Sequence, residues 1–188
     1  MSANNKGSVL TVRSKTSELV YMAICAALIA ICSWISIPMT VPFTLQTFAV
    51  FFVLLLLGGK NGTISIAVYV ILGLIGLPVF SGFAGGPSVL LGSTGGYILG
   101  FIIMGLIYLL ITGIFGNRTV VTIMALIAGL IICYAFGTFW FMFVYMRKTG
   151  PVGLLTVLSW CVFPFVIPDL LKLALALFIS KRVRSVIK

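Results

Sequence analysis

The sequence predicts an all-α integral membrane protein of six transmembrane helices, and three observations carry that prediction. Of its 188 residues, 62% are apolar and 7% are charged, too few ionisable groups to solvate a soluble globule of this size. The apolar residues fall in long uncharged runs between short polar breaks, and at about 20 residues per crossing the length holds roughly six spans. The net charge of +10 sits in short blocks at the edges of those runs, which is a topology signal and not a nucleic-acid-binding face.

The polar, basic opening resembles the n-region of a signal peptide, but the apolar run from Leu19 to about Ile37 is longer than an h-region of about 7–15 residues. A retained first span is expected. Runs bounded by Gly, Pro or charge place helices at residues 18–37, 45–57, 63–76, 92–115, 119–146 and 152–180. Residues 1–188 therefore read as a single membrane domain, with a cytoplasmic tail over 1–17, the bundle over 18–180 and a basic tail over 181–188. No room is left for an appended soluble domain. The second and third helices are short for a full span, which makes space for an inserted loop on one side. With the N-terminus inside, Lys6, Arg13, Lys15, Lys60, Arg118, Lys181, Arg182, Arg184 and Lys188 face the cytoplasm and only Arg147 and Lys148 face outward. That asymmetry sets both termini inside.

Two outward connections differ from the rest. In Ile37-Pro-Met-Thr-Val-Pro-Phe-Thr-Leu-Gln-Thr47, Pro38 and Pro42 disfavour helix, while Thr44, Gln46 and Thr47 supply side-chain hydrogen bonds. The second runs from Gly76 to Tyr97 and holds Gly82, Gly85, Gly86, Gly92, Gly95 and Gly96. Glycines let backbone approach a ligand closely, and an apolar loop of this kind makes sense packed on protein as a lid or pocket wall. The turns over residues 58–62 and 116–119 look purely connective.

The chain has no His and only two acids, Glu18 and Asp169, which removes most acid/base, metal-ligand and triad schemes. Neither an enzyme nor a metal site is expected, and no cofactor is implied. Cys25, Cys32, Cys133 and Cys161 lie in apolar stretches without CxxC spacing and read as buried thiols. Asp169 and Lys172, three residues apart inside the last span, share one helical face, where they neutralise each other or jointly hold a ligand that donates and accepts hydrogen bonds. Pro164 and Pro168 predict a kink or restart beside them. Phe43, Phe80, Phe83, Tyr97 and Trp160 suit a small ligand with an apolar body. Gly59-Lys60 is not a phosphate loop, because Leu54 stands where its first glycine belongs and Asn61 follows the lysine. Uphill transport by ATP would thus need another chain, and the small-residue steps Ala23/Ala27 and Ala26/Ala30 offer a close-approach face for one or for intramolecular packing.

Four blocks, Pro42-Phe-Thr-Leu-Gln-Thr47, Gly73-Leu-Ile-Gly-Leu-Pro-Val-Phe80, Ser93-Thr-Gly-Gly-Tyr-Ile-Leu-Gly-Phe101 and Phe165-Val-Ile-Pro-Asp-Leu-Leu-Lys172, resemble the BioY family, the biotin-specific substrate-binding subunits (S components) of energy-coupling factor transporters. Ser93 is a departure, since Pro is expected there. The resemblance implies a high-affinity, six-helix biotin-capture subunit in the prokaryotic cell membrane, with its site facing outward under the loops after helices 1 and 3. It implies assembly with a transmembrane coupling subunit, docked on Ala23 and Ala27, and with two ATP-binding cassette ATPases. Biotin fits the candidate residues above: Asp169, Lys172, Tyr97 and Gln46 foremost, with Thr44, Ser88, Phe80 and the Gly92 backbone alongside. Asp169 would accept from a ureido N–H while Lys172 or Gln46 donates to the ureido carbonyl; alternatively Lys172 pairs with the valerate carboxylate. An S component for another vitamin and a stand-alone facilitator are the competing functions.

Overall fold

Among the described residues, five helices are long and apolar enough to cross a membrane. The structure is a computed structural model and describes residues 15–187; the expected cytoplasmic tail up to residue 14, with Lys6 and Arg13, and Lys188 lie outside them. In order come α1 (Lys15–Trp34), β1 (Ser36–Ile37), β2 (Phe43–Thr44), α2 (Gln46–Leu74), a 3-10 turn (Ser81–Phe83), α3 (Pro87–Leu90), α4 (Gly95–Phe115), α5 (Thr119–Thr149), α6 (Leu154–Cys161) and α7 (Phe163–Ile187).

α2 is two helices. Gly58 adopts φ 80°, ψ 177°, a region that glycine enters without the cost a Cβ imposes, and the chain reverses there. A Cβ on Gly62 would lie 3.1 Å from the Cα of Leu54, a distance impossible in a continuous helix, where eight residues rise about 12 Å. The legs, residues 46–57 and 59–74, correspond to the second and third expected helices, so the five long helices supply six apolar segments and the expected fold class holds. The difference is at the turn: helix resumes at Gly59, so residues 59–62 are helical and not a connecting loop. The first leg is about 18 Å long, too short to span alone, and α2 is the most buried of the five. α1, α4 and α7 pack against it, α5 packs on α4, and α6 bridges α5 and α7.

Packing between helices relies on close approach rather than on oily side chains, as expected where lipid is as apolar as leucine. On α4, Gly96 lies under Trp140 and Gly100 under Cys133, while Met104 fills the notch at Gly129 of α5. Gly59 of α2 meets the backbone of Leu109 in α4 in the same way. α1 splits its alanines between two faces: Ala26 and Ala30 are buried against α2, whereas Ala23 and Ala27 face outward. All four cysteines are buried and unpaired.

The first of the two connections expected on the outer side is a small antiparallel hairpin, with Ser36 opposite Thr44 and Ile37 opposite Phe43, so α1 ends at Trp34 and not near Ile37. The second is pinned to α1 and α2. Ser33 donates to the Val79 carbonyl, Trp34 Nε1 donates to the Pro78 carbonyl at 2.8 Å, and Gly86 N–H donates to the Gly73 carbonyl at 2.7 Å. Both connections close the open end of the α2 hairpin, where the short legs leave room for them.

Candidate ligand-binding site

The site begins with a break in the last span. Val162 leaves helical geometry at φ −125°, ψ −57° and α7 starts at Phe163, which puts Pro164 in a first turn where its missing N–H is not needed. The break thus lies one turn ahead of the expected restart, and α7 runs on through Pro168. Pro168 cannot donate to the carbonyl four residues back. Asp169 and Lys172 follow on the inward face, 2% and 6% exposed.

Each charge has two hydrogen bonds within the protein. Lys172 Nζ donates to Asp169 Oδ1 at 2.8 Å and to the Thr44 main-chain carbonyl at 2.7 Å, while Tyr134 OH donates to Asp169 Oδ2 at 2.6 Å. The ammonium also stands 4.1 Å from the centroid of the Phe43 ring, an electrostatically favourable place for a desolvated cation. A buried ion pair of this kind is tolerable because each partner has further hydrogen bonds. It is also unsaturated: an ammonium has three protons and a carboxylate about four acceptor positions, so by count one donor and two acceptors have no hydrogen-bond partner among these bonds.

These groups form one wall of a cavity of about 130 Å³ enclosed by α2, α4, α5, α6, α7 and both connections. Of the residues expected at the site, Thr44, Gln46, Phe80, Tyr97, Asp169 and Lys172 line it together. Gln46 Nε2 donates to Tyr69 OH at 3.0 Å across the α2 legs, which fixes the amide. Phe80 is held edge-on to Tyr69, with ring centroids 5.5 Å apart, and sits in the notch over Gly73. Tyr97 lies flat on Gly137 of α5 and pairs its hydroxyl with Thr138 at 3.0 Å.

Ser88 and Gly92 do not line the cavity: Ser88 is exposed on α3, and the Gly92 carbonyl accepts from Trp140 Nε1 at 2.9 Å. Nor does any of the six loop glycines line it. Gly82 and Gly86 serve turns with positive φ, whereas Gly95 and Gly96 make room for Leu90 and Trp140. Among the expected aromatics, Phe43 lies over Lys172 and Trp160 packs edge-on to Tyr145 behind the wall. Phe83 is exposed and stacked on Trp34. Sequence reasoning missed Tyr134, whose signal was a phenol in the middle of an apolar run, far from the interfacial belts where tyrosine usually sits. It also missed Val41, Phe101, Cys133, Cys161 and Phe165, which look like any other core residues. Among the described residues there is no cluster able to hold a metal ion.

The family model described as the BioY family matches residues 4–188. The "Biotin transporter BioY" of Thermotoga maritima is 42% identical over 174 residues, covering 89% of this chain and 96% of the relative. The "Probable biotin transporter BioY" of Pyrococcus horikoshii is 38% identical, covering 91% and 98%. Among solved structures, the S-component for biotin from an ECF-type ABC transporter superposes with a TM-score of 0.76 at 30% identity over 94% of this chain and 95% of that one. The S component of a bacterial ECF transporter, at 16% identity and a TM-score of 0.56, shares the fold.

Proposed function

The chain belongs to the BioY family, and we propose that it is the biotin-capturing membrane subunit of a vitamin uptake transporter. The observation that carries this reading is the Asp169–Lys172 pair set in an otherwise largely apolar cavity, with acceptor and donor capacity beyond the bonds it already makes. A cyclic urea presents an N–H and a C=O side by side in the complementary order. Asp169 accepts from the ureido N–H and Lys172 donates to the ureido oxygen. The reverse pose would bring the valerate carboxylate against Asp169, and two like charges in a poorly solvated space repel strongly. The thiophane ring and valeryl chain then lie along Phe80, Tyr97, Phe101 and Leu130, with Gln46 and Thr44 at the cavity edge. Ser88 and Gly92 have no place in this binding pose.

The chain carries no nucleotide motif, so ATP-driven uptake would need an ATPase on another chain, and membership of the family implies that this module is a transmembrane coupling subunit with two ATP-binding cassette ATPases. The outward-facing Ala23 and Ala27 of α1 suit close docking of a coupling helix. By the positive-inside rule the end bearing Lys60, Arg118 and Lys181 faces the cytoplasm and the cavity faces outward.

Calorimetric titration of biotin into the purified full chain, with thiamine and riboflavin as controls, tests the ligand. One-to-one binding of biotin alone supports the reading, and heat from another vitamin instead would keep the fold and replace the substrate. Biotin amide separates the two poses: with the ureido group at the ion pair, Asp169→Asn weakens biotin and biotin amide by the same factor.

A further inference from the structure

At the opposite end of the bundle a second, smaller cavity of about 30 Å³ lies between the first leg of α2, the start of α5 and the end of α7, where Thr119, Thr122, Ser180, Lys181 and Arg184 join Leu55 and Leu177 in its lining. Thr122 and Arg184 are each twelve residues along α5 and α7 from Tyr134 and Lys172, which is about 18 Å away from the first site. The Nε atom of Arg184 is buried here without a hydrogen-bond partner, although a buried donor left unpaired costs about 1–3 kcal/mol. Among the described residues the one ion pair is Asp169–Lys172, so neither Lys181 nor Arg184 has a carboxylate. Ser180 and Thr122 already donate to Leu177 and Arg118 carbonyls within their own helices, and their oxygens can only accept. Arg118, the residue before α5, makes no side-chain cap to it, and the positive end of the α5 dipole lies beside the same cavity.

We propose that this cavity holds one phosphoryl group, supplied by an anionic phospholipid headgroup or by free inorganic phosphate. A guanidinium edge, an ammonium and a helix N-terminus converging without an acid is the donor arrangement that a tetrahedral oxyanion matches. The remaining walls, Leu55 and Leu177, are apolar. The site is independent of the biotin cavity.

The test uses the full chain in detergent, titrated with phosphatidylglycerol, inorganic phosphate or chloride at equal ionic strength, with the thermal unfolding midpoint as readout. Phosphatidylglycerol or phosphate should raise the midpoint and chloride should not. In Arg184→Gln the half-saturating concentration should rise at least about tenfold, as for loss of a charge-assisted hydrogen bond, whereas exposed Arg182→Gln should leave it within about threefold. A response to phosphate alone identifies free anion, and a response to the lipid alone identifies a headgroup. Should Arg184→Gln not fold, Arg184→Lys keeps the charge and loses the Nε donor, and the same weakening is expected. Equal responses in wild type and the Arg184 variants, or none in wild type, would overturn the proposal.

Discussion

Lys172 Nζ donates to the main-chain carbonyl of Thr44, 2.7 Å away and 128 residues earlier in the chain. One cation therefore neutralises Asp169 and ties the β-hairpin that roofs the cavity to the helix that floors it. Removing it leaves a carboxylate buried in a membrane segment with only Tyr134 to support it. Lys172→Met is expected to destabilise the protein by about 3–5 kcal/mol and to abolish tight biotin binding. The double variant Asp169→Asn/Lys172→Met removes both charges and should recover much of the stability but none of the binding. Thermal unfolding beside biotin titration distinguishes the two effects; a double variant less stable than Lys172→Met would contradict the burial argument.

Tyr134 supports Asp169 from α5 at 2.6 Å, and its loss is milder because the carboxylate keeps its lysine. Tyr134→Phe should cost about 1.5–3 kcal/mol, the usual worth of a hydrogen bond to a charged group. Biotin affinity should fall less than in Asp169→Asn, since Tyr134 acts by holding the carboxylate in place. Calorimetric titration of both variants checks the order, and a larger loss in Tyr134→Phe would make the phenol a direct contact.

Much of the fold was legible because apolar runs and charge placement are strong constraints in lipid. The Gly58 turn was legible for the same reason that it exists, a glycine cluster interrupting an apolar run. Asp169 and Lys172 stood out because charged groups within a span are expensive. Glycine was harder to read. Gly58 and Gly86 serve backbone conformation, but Gly96, Gly100 and Gly129 serve helix contact, and composition does not separate the two uses. Gly92 shows that ambiguity: expected beside the ligand, it has its carbonyl bonded to Trp140 Nε1 and does not line the cavity. Tyr134 and Phe165 were hidden because their roles depend on which residues lie opposite, and no local pattern records that.

The notch at Gly73 gives a test of packing at the roof. A Cβ there would collide with the Phe80 ring, so Gly73→Ala must move a ring that lines the cavity. The expected cost is about 1–3 kcal/mol of stability, as for overpacking, with a marked loss of biotin affinity. Gly113, in α4, has nothing within 4 Å of its would-be Cβ, and Gly113→Ala should instead gain about 0.5–1 kcal/mol from helix propensity. Equal behaviour of the two variants in thermal unfolding would dismiss the notch.

The roof itself hangs on two adjacent residues of α1. Ser33 donates to the Val79 carbonyl, and Trp34 donates to the Pro78 carbonyl while stacking on Phe83 with ring centroids 5.0 Å apart. α1 also carries the outward alanine face, so a partner that shifts α1 would pull on the loop over the cavity. Ser33→Ala/Trp34→Phe keeps the apolar packing and removes both side-chain donors, each worth about 0.5–1.5 kcal/mol net. Amide exchange over residues 78–86 should then quicken by roughly tenfold or more if the loop opens locally, and biotin should dissociate faster while helix cores keep their protection. Unchanged exchange in that segment would mean that the loop is held by its own turns and by the Gly86 bond to Gly73, and that α1 has no mechanical hold on the site.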